Sequence, residues 1–205
     1  MRLIARSLVG LSLLILATTP MLADTILATR SLWEYTFTDP TADPTWNTTT
    51  GGWTTGLAPF GNQVSGGYTD PDGYFAYQTY WIPAGFNGAS ESNLWVRKAI
   101  DLSGFDLSSA GWDLGVDNGF TLFINGVQVA SDFAEEYTYR WEYSGSFGSA
   151  IQPGMNVIAV ALHDHGGWTA FDMQVTANAI PEPTSLLLLG TGLGALGLAT
   201  WHRKK

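Results

Sequence analysis

Residues 120–129 read Phe120-Thr121-Leu122-Phe123-Ile124-Asn125-Gly126-Val127-Gln128-Val129. In the first half Phe120, Leu122 and Ile124 alternate with Thr121 and Phe123, and this period of two is typical of a β-strand with one buried face. Asn-Gly between two such runs is the strongest short-range hairpin signal, because a type I′ turn needs positive φ at both central residues. The stretch therefore predicts two antiparallel strands joined by a two-residue turn.

The same period extends along the chain in both directions. Phe171, Met173 and Val175 alternate with polar residues, while 157–162 is a continuous apolar run that predicts a strand buried on both faces. Further strands are predicted at 26–37, 74–81, 94–102 and 111–116, and long loops at 39–56 and 61–73. Strands at this spacing, separated by Gly, Asn, Asp and Pro, predict an all-β fold, an antiparallel β-sandwich.

Charge and composition exclude several classes of function. Residues 24–180 carry four Lys and Arg against 17 Asp and Glu, a net charge of about −13. Such a body repels phosphate backbones, so no nucleic-acid partner is expected. Cysteine is absent from the whole chain, which excludes disulfides, thiolate metal sites and a cysteine nucleophile.

The first 23 residues have the three parts of a secretory signal peptide. Arg2 and Arg6 form a basic flank, 7–17 is a short and mostly apolar core, and the small residue Ala23 precedes Asp24. We predict a signal helix at 1–23 that is recognised by the Sec export machinery. Cleavage after Ala28 is the alternative, because Met21 is large for its position before a cut at Ala23.

The last 25 residues also form a three-part pattern. Pro181-Glu182-Pro183 precedes the uncharged stretch 185–200, and the chain ends on the cations Arg203, Lys204 and Lys205. The uncharged stretch would span about 25 Å as a helix, slightly less than an average bilayer core. It predicts a transmembrane helix whose terminal cations stay on the cytoplasmic side.

This order of Pro-Glu-Pro, apolar helix and basic end resembles the PEP-CTERM sorting signal. The resemblance implies a substrate of an exosortase, a membrane-embedded transpeptidase of Gram-negative bacteria. The protein would be anchored transiently in the inner membrane and processed near Pro181, Glu182 and Pro183. Its body would then reach the cell surface or the extracellular matrix. An ordinary, permanent C-terminal anchor is the alternative.

Four segments of the body together resemble the galactose-binding-like jelly-roll family of carbohydrate-binding modules. They are 53–61, 94–98, 116–126 and 153–160, which include Val116-Asp117-Asn118-Gly119 and Pro153-Gly154-Met155-Asn156. The resemblance implies a jelly-roll sandwich. Members of that family include sugar binders, adhesion modules and structural domains, and none of their ligand residues has a counterpart here.

Three tryptophans are candidate glycan contacts. Most of the large aromatics are expected in the core of a sandwich, and Trp46, Trp141 and Trp168 are the three that we expect to be most exposed. An exposed indole ring can stack on a sugar ring.

Two short acidic segments suggest metal ions. Asp70-Pro71-Asp72-Gly73 places two carboxylates where they could bind calcium, although the same residues form a good turn. His163-Asp164-His165 could supply zinc ligands. No third ligand is near, so we interpret this segment as a solvated loop. No other cofactor is predicted.

These observations divide the chain into a signal peptide at 1–23, a β-sandwich domain at 24–180 and a sorting signal at 181–205. The predicted function is that of an exported, non-catalytic protein of the cell surface or the exopolysaccharide matrix. The alternative is a carbohydrate-binding module that recognises a surface or matrix glycan. The third hypothesis is an enzyme. No nucleophile elbow or acid pair can be identified in the sequence, so no catalytic residue is predicted.

Overall fold

A computed structural model describes residues 23–62, 77–85, 92–133 and 141–180. Within these ranges the chain forms twelve strands and one turn of 3-10 helix at Gly148–Ala150. The strands are β1 (Asp24–Leu27), β2 (Leu32–Thr36), β3 (Thr54–Leu57), β4 (Phe60–Gly61), β5 (Thr79–Tyr80), β6 (Ser92–Asp101), β7 (Phe105–Asp117), β8 (Gly119–Ile124), β9 (Val127–Asp132), β10 (Tyr143–Ser146), β11 (Met155–Asp164) and β12 (Ala170–Ala179).

In the described part of the chain the strands form two six-stranded sheets. One sheet, called sheet A here, has the order β10-β7-β12-β4-β5, and β1 pairs with β12 beside β4. The other, sheet B, has the order β3-β2-β6-β11-β8-β9. The β4–β5 pair is parallel and the other described pairs are antiparallel. The predicted all-β sandwich is confirmed.

The hairpin predicted at Asn125-Gly126 is confirmed. Both residues have positive φ, 50° and 81°, and they join β8 to β9, which pair antiparallel. Phe120, Leu122 and Ile124 are at most 1% exposed and face the core between the sheets. The period of two therefore identified the buried face correctly.

β11 is buried on both faces, as its continuous apolar run predicts. Ile158, Val160 and Leu162 belong to the main core, whereas Ala159 and Ala161 belong to a second, smaller apolar cluster. That second cluster also contains Trp46 and Trp95, with Trp53 and Phe123 packed against it. Sheet B is thus covered on its outer face as well as on its inner face.

The strand predicted at 26–37 was wrong in extent. The chain forms β1 in sheet A and β2 in sheet B, with a turn between them in which Arg30 has φ 59°. Ser31 Oγ donates to Ala28 O at 2.7 Å and closes this turn. The apolar pattern continues through the turn because both strands face the same core, so sequence periodicity alone does not show the change of sheet.

Other predicted boundaries also differ from the observed ones. The strand expected at 111–116 begins already at Phe105, and the loop expected at 39–56 ends at Thr54, where β3 begins. The segment 74–81 is described only from Tyr77, and β5 covers two of its residues.

The predicted signal helix at 1–23 and transmembrane helix in 181–205 lie almost entirely outside the described residues. Among the residues that are described, no helix has the length and apolar character needed to cross a membrane.

Candidate functional site

Residues 39–53, called the covering segment here, fold back over the outer face of sheet B. Successive turns begin it: the backbone N–H of Asp43 donates to Pro40 O, and that of Trp46 donates to Asp43 O at 3.1 Å. The Asp43 carboxylate accepts from the backbone N–H of Thr45 at 2.8 Å, and this bond lowers the pKa of the carboxyl. These turns place the indole of Trp46 against Ala159 and Ala161 of β11.

The expectation that Trp46 is exposed was wrong. Its side chain is 6% exposed, and its ring lies 5.4 Å from that of Phe123 in an edge-to-face arrangement. Ala159 and Ala161 leave room for the large ring because their side chains are small. Trp46 therefore packs the covering segment onto the sheet and is not available to stack on a glycan.

Arg97 on β6 holds the covering segment in place. Its Nε donates to a Glu34 carboxylate oxygen at 2.8 Å, its Nη1 donates to Trp46 O at 3.1 Å, and its Nη2 donates to Gly51 O at 2.6 Å. The Glu34 carboxylate also accepts from the backbone N–H of Gly51 at 2.6 and 2.8 Å. Although Arg97 is only 3% exposed, its charge is paired and hydrogen-bonded, as a buried cation requires.

The guanidinium of Arg97 also lies over the ring of Trp53, 3.9 Å from its centroid. A cation at this distance is attracted to the electron-rich face of an indole. Trp53 immediately precedes β3, and Gly51, two residues before it, bonds to both Glu34 and Arg97. The position of the Trp53 ring is therefore set by the sheet beneath it.

A pocket of about 370 Å³ lies at the end of β2 and the start of β3. Its described lining residues are the aromatic residues Tyr35, Phe37 and Trp53, together with Thr36, Thr38, Gly52 and Thr54. The Phe37 ring is 46% exposed and lies 5.5 Å from the Tyr35 ring. The Thr36 hydroxyl accepts from the backbone N–H of Thr38 at 3.0 Å, which shapes the rim. We call this the aromatic pocket.

A second, smaller pocket of about 230 Å³ lies beside Glu34, Arg97 and Lys98. Lys98 Nζ donates to Leu32 O at 2.7 Å, and burial lowers the pKa of this amine. Glu34 and Arg97 form an ion pair with each other, and both bond to the backbone of Gly51. Their charged groups therefore stabilise the covering segment.

Two buried carboxylates interact electrostatically where β7 leads into β8. Asp117 is 3% exposed and Asp164, the last residue of β11, is fully buried. Burial first, and the charge of Asp164 second, raise the pKa of Asp117 to about 7. Burial also raises the pKa of Asp164, against the opposing effect of the backbone N–H groups of Ala84 and Gly166. At neutral pH this pair holds less negative charge than two ordinary aspartates would.

The predicted solvated loop at His163-Asp164-His165 was therefore wrong for its first two residues. His163 and Asp164 end β11, and His163 Nδ1 lies 2.8 Å from Asn93 Oδ1. His165 is exposed, and its backbone N–H donates to Asn118 Oδ1 at 3.0 Å. Within the described ranges, no three His, Asp or Glu side chains are grouped so as to hold a metal ion.

The remaining predicted site residues have different outcomes. Trp168 is 43% exposed and Trp141 is half-buried with φ 62°, and neither is among the described residues that line the aromatic pocket. Their contact with a glycan stays a prediction. Asp70 and Asp72, predicted for calcium, lie outside the described residues. So do the sorting-signal residues Pro181, Glu182, Pro183, Arg203, Lys204 and Lys205.

Sequence reasoning missed the aromatic pocket and the Arg97 contacts. A signal was present at Arg97, one of only four Lys and Arg in 24–180, because a rare cation within an apolar strand needs a partner. Tyr35 and Phe37 continue a strand pattern that predicts core packing, so the sequence alone did not distinguish them from buried residues.

The family model described as the PEP-CTERM protein-sorting motif matches residues 179–204. This match supports the predicted sorting signal and indicates export with membrane-anchored sorting toward the cell surface. No curated protein sequence matches the chain.

Among solved structures, the chain is similar to the crystal structure of Ruminococcus gnavus beta-glucuronidase, at 11% identity and a TM-score of 0.47. The same enzyme in its apo form gives 11% identity and a TM-score of 0.49, and its complex with D-glucaro-d-lactam gives 10% and 0.49. Each comparison covers 79% of this chain and 30% of the glucuronidase chain. The chain thus spans about 30% of the length of these enzymes. The galactose-binding-like, jelly-roll character of the body stays a prediction.

Proposed function

We propose that this chain is an exosortase-sorted, non-catalytic protein of the cell surface or extracellular matrix. The observation that carries the proposal is the sorting motif at 179–204, which lies directly after the last strand of the sandwich, Ala170–Ala179. Cutting near Pro181, Glu182 and Pro183 would leave every described strand on the released side.

The charge of the body supports a role outside the cell. A net charge of about −13 over residues 24–180 favours solubility in a hydrated polymer matrix.

Intact-mass measurement of the protein isolated from the producing bacterium tests the sorting step. We expect a mature mass that excludes Trp201 to Lys205, and recovery in the surface or matrix fraction. A variant with Pro181, Glu182 and Pro183 replaced by alanine should keep the tail and stay with the membrane fraction. A native protein that retains Trp201 to Lys205 would overturn the exosortase assignment and leave a permanent anchor.

Carbohydrate binding is the second candidate function, and the aromatic pocket is the observation that favours it. Its described lining residues include Tyr35, Phe37, Trp53 and three threonines. A glycan array of the purified protein, read against a pocket variant, tests this function independently of sorting.

A further inference from the structure

One end of the sandwich, called the tail end here, is the end at which the chain leaves β12 at Ile180. In the turn between β6 and β7, the backbone N–H of Leu102 donates to Gly154 O at 2.9 Å. Gly104 O in the same turn accepts from the backbone N–H of Ile180 at 2.7 Å. The end of β6, the start of β11 and the end of β12 therefore lie together at the tail end.

Aliphatic side chains continue across the outer face of sheet B at the tail end. Leu32 of β2 is paired with Leu57 of β3, and Leu32 lines one pocket with Ala99 of β6. Ala99 pairs with Val157 of β11, and Met155 lies two residues before Val157. The neighbouring positions on β2, β6 and β11 belong to the core between the sheets, and side chains alternate between the faces of a strand. These five side chains therefore share the outer face, and we call them the aliphatic patch.

The covering segment lies beside this patch. Trp46 packs against two alanines farther along β11, and Thr50 lines the pocket that Leu32 also lines. Leu32, Leu57 and Met155 nevertheless remain 50%, 46% and 58% exposed. Neighbouring exposed apolar side chains of this kind mark a site of interaction with a protein or a membrane.

The position of the tail identifies the partner. Residues 181–184 separate Ile180 from the uncharged stretch 185–200, and four residues span at most about 14 Å. The headgroup layer on one side of a bilayer is itself about 5–8 Å thick. Asp24, which follows the predicted signal peptide, pairs with Ala177 of β12 close to the same end. An anchored chain therefore holds the tail end within reach of the lipid headgroups.

The charges at the tail end favour a zwitterionic lipid surface. Asp24, Asp101 and Asp106 are exposed there, and Asp101 is the strand partner of Met155. Anionic headgroups would repel these carboxylates. Aliphatic side chains, by contrast, gain free energy when they enter the boundary between headgroups and acyl chains.

We propose that the aliphatic patch rests in the headgroup region of a zwitterionic bilayer before the tail is processed, and that it orients the body on the membrane. This inference rests on the proposed function in one respect, because the tail must first anchor the chain. The opposite end of the sandwich, where β9 ends and β12 begins, then faces away from the membrane.

Site-specific labelling tests the proposal, since the chain has no cysteine of its own. The full chain in phosphatidylcholine vesicles carries nitrobenzoxadiazole at Met155→Cys or, as the matched control, at Phe133→Cys. Phe133 is 55% exposed and follows β9 at the opposite end. We expect a headgroup nitroxide lipid to quench the label at position 155, and acrylamide to quench it at least about twofold less than the label at position 133. Equal quenching at the two positions would overturn the proposal.

A longer linker separates docking from tethering. Twenty Gly and Ser residues inserted between Ile180 and Pro181 give the body a reach of about 24–29 Å, so a body without affinity for lipid would leave the surface. We expect lipid quenching at position 155 to persist, and its loss would overturn the proposal.

Two surface variants of the long-linker chain locate the contact. Leu32→Asp combined with Leu57→Asp should abolish lipid quenching at position 155. Tyr80→Asp is the control, because Tyr80 is 48% exposed on β5 at the opposite end, and it should leave the quenching unchanged. Quenching that persists in the double variant would overturn the assignment to the aliphatic patch.

Vesicle flotation distinguishes failure of this inference from failure of the sorting step. A full chain that does not float has no inserted tail, which would overturn both the docking and the predicted anchor. A floating chain whose label at position 155 is shielded from acrylamide but not quenched by lipid would have a protein surface, such as a second copy of the chain, on the patch. That result would overturn the docking alone, and the mass of the native protein bears only on tail processing.

Discussion

Arg97 lies face-on to Trp53, with its guanidinium carbon 3.9 Å from the centroid of the ring. The same guanidinium bonds to Glu34 and to two backbone carbonyls of the covering segment. One side chain on β6 therefore joins three parts of the molecule: the strand β2, the segment 39–53 and the wall of the aromatic pocket.

Replacing Arg97 with Leu should reduce the free energy of unfolding by about 3 kcal/mol, because it leaves the Glu34 carboxylate without its buried partner. Urea unfolding measures the change. Lys98→Leu is the control at the next position, where the amine makes one bond to Leu32 O, and it should cost about 1 kcal/mol or less. Equal losses in the two variants would contradict the central role of Arg97.

Asp117→Asn should stabilise the protein at alkaline pH. The folded-state pKa of Asp117 is about 7, above its usual value of 3.8, so the folded state binds the proton more tightly than the unfolded state does. The stability due to this proton is complete below pH 3.8 and is lost as the pH rises through about 7. Between pH 5 and 8, wild type should lose about 3 kcal/mol relative to the variant.

The control for this pH series is Asp101→Asn. The side-chain and backbone hydrogen bonds from Ser103 lower the pKa of Asp101, so ionisation of this carboxylate favours folding. The Asp101→Asn variant should therefore gain no stability relative to the wild type as the pH rises from 5 to 8. A parallel pH dependence of wild type and Asp117→Asn would show that Asp117 is not the titrating group.

Gly126→Val should destabilise the β8–β9 hairpin by about 1–3 kcal/mol, since a β-branched residue resists positive φ. An added Cβ would also approach Thr48 Cγ2 to 2.7 Å. Thr121→Val introduces the same side chain into β8 at an ordinary strand position and should change stability by less than about 1 kcal/mol. Thermal unfolding of both variants measures the two changes in stability. A Gly126→Val variant as stable as the wild type would argue against the type I′ turn.

Trp46→Ala should cost about 3–5 kcal/mol, the usual loss when a buried large aromatic is truncated. Trp168→Ala, at a ring that is 43% exposed, should cost much less. Chemical denaturation of the two variants separates a packing tryptophan from a surface one. A small effect at Trp46 would contradict its burial between the covering segment and sheet B.

Replacing Leu188 and Leu189 with Asp should block membrane insertion of the tail, because each charge near the middle of a span costs about 2.5–3.5 kcal/mol. Replacing both with Ile keeps the stretch apolar and should leave insertion intact. Carbonate extraction of membranes distinguishes inserted from peripheral protein. An inserted Asp variant would show that the stretch 185–200 does not anchor the chain.

The sequence by itself determined the features that depend on neighbouring residues. A period of two identified Phe120, Leu122 and Ile124 as one buried face, and Asn125-Gly126 specified a turn with positive φ. The continuous apolar run 157–162 predicted a strand buried on both faces. The order of Pro-Glu-Pro, apolar stretch and terminal cations predicted the sorting motif. Each of these signals depends on local backbone geometry or on local hydrophobicity and charge.

Only the tertiary structure decided what covers the outer face of sheet B and where the aromatic pocket lies. Arg97 meets Glu34 and Trp46 from positions 63 and 51 residues away, and Asp117 meets Asp164 across two strands that are distant in sequence. Trp46 lies in a polar stretch that predicts an exposed loop, yet it is buried because Ala159 and Ala161 leave space for its ring. Contacts of this kind depend on the sizes and charges of side chains that only the folded chain brings together, and no local pattern encodes them.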